Sequence, residues 1–145
     1  MLAAAKKSTN VSTKMSTKEQ YKKGSKTTFY ITEAENGKIT SIPVEGEPVI
    51  FDCCPDFLFF VFKSPENNFW YVNEALTGTT IDIYGETSKK KALEKAQEIL
   101  NEKTEQEIAE AIDVNMGIGY ISPLRDEDIE KIRKTILPRK PKLLL

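Results

Sequence analysis

The chain contains no histidine and only two cysteines. Without imidazole there is no Ser-His-Asp or Cys-His catalysis and no His-ligated zinc. Two cysteines cannot complete a structural zinc site, nor do they make a disulfide framework. They are neighbours, Cys53 and Cys54, and a bridge between adjacent residues closes a strained ring. The setting Asp-Cys-Cys-Pro-Asp argues further against thiolate chemistry, because Asp52 and Asp56 push a thiol pKa up. The pair reads as small residues closing a strand. No calcium-loop spacing occurs. No metal and no cofactor are expected.

Long apolar runs are also missing. The longest covers residues 57–62, far short of the ~18 residues that span a bilayer. Lys6 arrives too early for a secretory leader. No membrane association is expected, and a cytoplasmic location follows. Organelle import through residues 1–26 is the alternative, since the first 18 residues carry no acid and are rich in Ser, Thr and Lys. The lack of arginine there counts against it.

What the chain does have is charge sorted by position. Residues 1–26 carry Lys6, Lys7, Lys14, Lys18, Lys22, Lys23 and Lys26 against Glu19 alone, a balance of +6. Residues 131–145 add Lys131, Arg133, Lys134, Arg139, Lys140 and Lys142 with no acid, again +6. The body between them stands at −13, so the net charge of −1 conceals two cationic ends on an anionic centre. Such asymmetry concerns partners rather than fold.

The organisation reads as a disordered basic arm over 1–26, one α+β domain over 27–137, and a short basic tail over 138–145. Five to six strands are expected in a hairpin or meander, forming an antiparallel sheet. Asn36-Gly37 marks a hairpin between residues 28–32 and 39–44. Pro43 places that second strand at an edge, and residues 49–51 form another short strand. Residues 57–62 lack alternation and predict a strand buried on both faces. Strands at 69–74 and 79–84 follow, the last with Ile81 and Ile83 on one face.

Two to three helices close the chain. Thr87 or Ser88 caps the first, which runs to about Glu102. Thr104-Glu105-Gln106-Glu107 is a capping box for the second. Ser122-Pro123 starts the third, whose stripe is Ile129, Ile132 and Ile136.

Other motifs are weak. Gly117-Ile118-Gly119 follows a helix and reads as its cap rather than a phosphate loop. The aromatic residues from Phe29 to Tyr71 suit a base-stacking platform only beside positive charge. Residues 64–88 hold no Lys or Arg but contain Glu66, Glu74, Asp82 and Glu86, so the rings read as core. The stretch Trp70…Thr77-Gly78…Gly85-Glu86-Thr87…Ala92…Ala96 resembles the three-strand-plus-helix modules of integrase arm-site-binding domains. It lacks the basic sheet residues with which those modules read DNA, and no function is carried over.

The leading functional reading is a non-catalytic protein-interaction module, an adaptor, assembly factor or inhibitor. A protein partner with a cationic surface meets Glu66, Glu74, Asp82 and Glu86. An anionic partner meets Lys6, Lys7, Lys14, Lys18, Lys22, Lys23, Lys26, Arg139, Lys140 and Lys142. The alternative is an accessory nucleic-acid binder that tracks phosphates through the lysine-rich arm. A small enzyme using carboxylate acid and base is a third reading, for which no spacing singles out a pair.

Overall fold

In the computed structural model, residues 18–136 are described. They form strands β1 (Tyr21–Lys23), β2 (Thr27–Glu35), β3 (Lys38–Phe51), β4 (Phe59–Lys63) and β5 (Trp70–Glu74), then helices α1 (Lys89–Asn101), α2 (Glu105–Ile118) and α3 (Asp126–Ile136). The fold is α+β, with a five-stranded antiparallel sheet in the first half and three helices after it.

The expected hairpin is present: β2 and β3 pair from Thr27↔Gly46 to Glu35↔Lys38. Asn36 and Gly37 supply the positive φ values of the turn, 53° and 79°. β3 is longer than its sequence suggests. Residues 39–44 and 49–51 merge into one 14-residue strand. Around Pro43 it pairs with β2 alone; farther on, β1 lies on one side and β4 on the other. Pairing passes from β2 to β4 at Gly46 and Glu47, and a Cβ on Gly46 would stand 3.0 Å from the Phe60 ring and 3.2 Å from the Val61 carbonyl. A side chain there would crowd both, and glycine avoids it. The sheet curls far enough for Thr32 N–H in β2 to donate to Gly78 O at 3.2 Å.

Both faces of β4 are covered, as its unbroken apolar run predicts. On one face, Phe59 and Val61 join Val49, Phe51 and Val72 under Leu93, Ala96 and Leu100 of α1 and Ile108 and Ile112 of α2. On the other, Phe60 and Phe62 pack with Phe29, Ile50 and Leu58, and α3 leans on this cluster through Ile129, Ile132 and Ile136. Phe60 stacks on Phe29 with centroids 4.4 Å apart and planes 3° from parallel.

Helix starts follow local chemistry. Ser88 accepts Lys91 N–H at 3.2 Å. The Thr104 capping box is complete: Glu107 N–H donates to Thr104 Oγ1 at 3.1 Å, and Thr104 N–H to Glu107 Oε1 at 2.8 Å. α3 begins at Asp126 instead of at Pro123. Ser122 Oγ accepts Leu124 N–H in a turn, and Asp128 then accepts Arg125 N–H.

Three expectations need correction or restriction. Residues 18–26, read as part of the arm, belong to the fold. Tyr21 packs edge-on against Phe51 at 5.7 Å, and Gln97 on α1 holds the incoming chain. Its Oε1 accepts Gln20 N–H at 2.9 Å and its Nε2 donates to Lys18 O at 3.0 Å. Residues 79–84 do not form a strand; the chain is bridged to β5 at Asn73↔Thr80 and again, past this segment, at Trp70↔Glu86. The remainder of the arm and tail, with Lys6, Lys7, Lys14, Arg139, Lys140 and Lys142, lies outside the described residues.

Truncating Phe60, which is fully buried, leaves a cavity beneath Phe29. Phe60→Ala is expected to cost about 3–5 kcal/mol. Urea unfolding measures this, and a loss below about 1 kcal/mol contradicts the packing described.

Candidate binding face

Alternation along residues 79–84 points Ile83 into the core beside Ile81. The chain does something else. Two residues of β5, Tyr71 and Val72, lie between the two bridges, but five residues lie between their partners Thr80 and Glu86. The surplus loops outward. Ile81 stays against the core, whereas Ile83 is 70% exposed and Tyr84 79% exposed.

This protrusion is held. Tyr84 N–H donates to Asp82 Oδ1 at 3.2 Å, and Gly85 N–H to Asp82 O at 3.3 Å. Gly85 sits at φ +74° against the Tyr71 ring, whose Cζ would stand 2.7 Å from an added Cβ. Tyr71 in turn stacks on Phe62, 5.8 Å away. An exposed tyrosine and isoleucine are thus carried on a turn fastened to the core. Phe69, 41% exposed, precedes the residue that bridges to Glu86.

Beside Tyr71 a cleft of about 240 Å³ opens between β2 and β5. Ile31, Phe62 and Tyr71 form its apolar wall, and Glu33, Glu66 and Asn73 are among its polar lining; no lysine or arginine among the described residues lines it.

The four acids expected to meet a cationic partner have separate fates. Glu66 is exposed on the cleft rim. Asp82 is half-buried at the base of the protrusion. Glu86 lines a polar groove shared with Lys18, Lys91, Lys95, Glu94 and Glu98, where acid and base are interleaved. Glu74 is buried at 4% exposure. Its carboxylate accepts the N–H of Leu76 and of Thr77, each at 2.8 Å, and the Thr77 hydroxyl at 2.6 Å. These bonds hold the turn after β5, so Glu74 is not presented to a partner.

The lysines also divide. Lys23 pairs with Glu47 at 3.7 Å, and Lys89 meets the same carboxylate at 2.7 Å. Burial pushes the Glu47 pKa up, but the Lys89 hydrogen bond and the Lys89, Lys23 and Lys26 charges outweigh it and hold the group below the usual glutamate range. Lys18, Lys22 and Lys26 are exposed, as are Lys131 and Lys134 on α3. Gly24 lies against Ile136, so the fold brings the start of the chain beside the end of α3.

The remaining motifs are structural. Cys54 is buried beside half-buried Cys53, with Sγ atoms 3.7 Å apart. Burial first, then the neighbouring thiol, pushes the Cys54 pKa well above the usual thiol range. Gly119 caps α2 at φ 122°. Among the described residues no group of His, Cys, Asp and Glu has the arrangement of a metal site. No helix among them is long and apolar enough to cross a membrane. No family model matches the chain, and neither does any curated protein or solved structure.

Burial holds the Glu74 pKa above its ordinary value, against the hydrogen bonds from Thr77 and Leu76 that pull it down. Folding therefore disfavours ionised Glu74. The penalty is absent at low pH, where the group is protonated folded and unfolded, and grows as pH rises through the unfolded value toward the raised one. Glu74→Gln lacks this dependence. Its urea midpoint relative to wild type is expected to rise between about pH 4 and pH 7; a constant difference contradicts the assignment.

Proposed function

We propose that the protein is a non-catalytic binding module that docks a basic protein partner through the Ile83–Tyr84 protrusion and the acids beside it. The observation that carries this reading is the exposure of two large apolar side chains on a turn fixed by Asp82 and Gly85. Tyrosine supplies much contact area at small entropic cost, and rigid presentation lowers the ordering cost of association. Asp82 and Glu66 supply the charge, which steers encounter with a cationic surface and is screened by salt.

The test compares immobilised wild type with an Ile83→Ser/Tyr84→Ser double variant. A Val114→Ser/Ile118→Ser variant, altered at the exposed apolar face of α2, serves as control. Basic proteins captured by wild type at low salt are expected to be kept by the control and lost from the double variant, with thermal unfolding unchanged. An identical captured set with the double variant defeats the reading.

A second reading, contact with nucleic acid through the lysine-rich arm, is favoured by one observation. Exposed Lys22 and Lys26 flank Gly24, which touches the end of α3 that carries exposed Lys131 and Lys134. Two cationic ends in one region suit a phosphate backbone. Since β1 belongs to the fold, the informative deletion is residues 1–17. It is expected to weaken single-stranded DNA binding at low salt and to flatten its salt dependence; unchanged affinity and slope exclude the arm as the site.

A further inference from the structure

One flank of β3 carries unpaired backbone. In β2, Thr32 N–H points to Gly78 O. Tyr30 O faces the same glycine, 2.7 Å from where a Cβ on Gly78 would stand. Both residues therefore turn their peptide groups away from β3. In an antiparallel pair, the residue opposite such a residue turns its own groups away as well. The opposite residues are Ser41 and Pro43, and Ile39 follows by the alternation of the ladder. The peptide groups of Ile39, Ser41 and Pro43 thus face the side on which β4 joins β3 only from Glu47 onward. Among the described residues no backbone group bonds to them there. Thr40, Ser41, Ile42 and Pro43 are exposed to solvent.

This flank is complementary to itself. Let Ser41 face Ser41 of a second copy, with the strands antiparallel. Each Ser41 N–H then donates to the other copy's Ser41 O, and each Ile39 N–H to the other copy's Pro43 O. No N–H is left unanswered, because Pro43 has none to offer. The charges agree. Antiparallel pairing carries Lys38 toward the strand end that holds Glu45 in the copy, whereas parallel pairing sets Lys38 beside Lys38. Ile42, 37% exposed, comes opposite Thr40 of the copy on the same face. The pairing also closes at two copies. The flank of β5 is occupied at Trp70 and Glu74 by Glu86 and Thr79, and Gly78 occupies the middle of the β2 flank; β1 is only three residues long.

We infer that the protein self-associates as a two-fold dimer through residues 39–43 of β3, the two sheets joining side by side. This goes beyond the proposed function and does not depend on the Ile83–Tyr84 protrusion. The paired stretch ends before Glu47, where β4 takes over. Its contact is short, so the dimer is an exchanging one rather than an obligate one.

The test is sedimentation velocity of the full chain from roughly 10 μM to 1 mM, where the sedimentation coefficient is expected to rise toward that of a dimer. Ser41→Pro removes an N–H that β2 does not use, and Pro43 already occupies an equivalent place in the strand. The variant is expected to weaken self-association by about tenfold or more with thermal unfolding unchanged. Ser41→Ala keeps the N–H and is expected to associate like wild type. Amide exchange of the wild-type chain needs no variant: Ile39 and Ser41 are expected to exchange more slowly as protein concentration rises, while Thr40 and Ile42, already bonded to β2, do not change. A chain monomeric throughout, exchange at Ile39 and Ser41 indifferent to concentration, or a dimer that a folded Ser41→Pro variant keeps each overturns the proposal. A dimer lost instead from Ile83→Ser/Tyr84→Ser belongs to the protrusion and overturns it too. A chain that stays monomeric but protects Ile39 and Ser41 once a basic protein is added takes a foreign strand there, and the dimer falls.

Discussion

Burial of β4 on both faces is the constraint from which the rest of the molecule follows. A strand reading Phe-Phe-Val-Phe has no side it can leave in water. One face demands a helical cover, which α1 and α2 supply over Phe59 and Val61. The other demands something equally apolar, and the curled β2–β3 hairpin with α3 supplies it over Phe60 and Phe62. Gly46 passes close to Phe60 where the hairpin meets β4. The curl carries β2 to the Thr77–Gly78 turn, where Thr32 donates its N–H to Gly78 O and its hydroxyl to Thr77 O. The cleft exists because β2 arrives there. Its position is a by-product of covering a two-faced strand.

Much of this was legible in the sequence, for reasons that are local. Asn36-Gly37 states its turn through backbone permissiveness, the Thr104 capping box closes within four residues, and the isoleucine spacing of α3 sets its inner stripe. The uninterrupted run in β4 announced a central strand. Less legible was whatever depended on distant contacts. The lysine-rich composition of residues 18–26 argues for disorder, yet one tyrosine and the Gln97 side chain, 77 residues from Gln20, tie them down. Likewise β3 runs through Pro43 and Pro48 because its hydrogen-bonding needs there are met on one side or differently on the two sides.

The candidate face was the least legible part. Alternation of Ile81 and Ile83 is a correct cue for a strand, and it failed because β5 is bridged at two points with unequal chain between them. The signal that could have exposed the error is Gly85, a residue at positive φ where a continuing strand would want a side chain. Charge counting likewise treated Glu66, Glu74, Asp82 and Glu86 as one class. Folding sorts them into a rim acid, a buried turn-holder, a turn base and a member of a mixed groove. Counting shows how much charge a chain carries; only the fold shows which charges remain available to another molecule.

The outward loop between Thr80 and Glu86 has one more effect. Beyond β5 the sheet would end in a row of open peptide groups, a template on which a second chain could add a strand. Trp70 and Glu74 instead find their backbone partners in Glu86 and Thr79 of the same chain. The bowed-out backbone between them is too irregular to propagate pairing. A segment that displays adhesive side chains thereby also blunts the free flank of β5, so at this side of the sheet the molecule offers contacts through side chains rather than through open backbone.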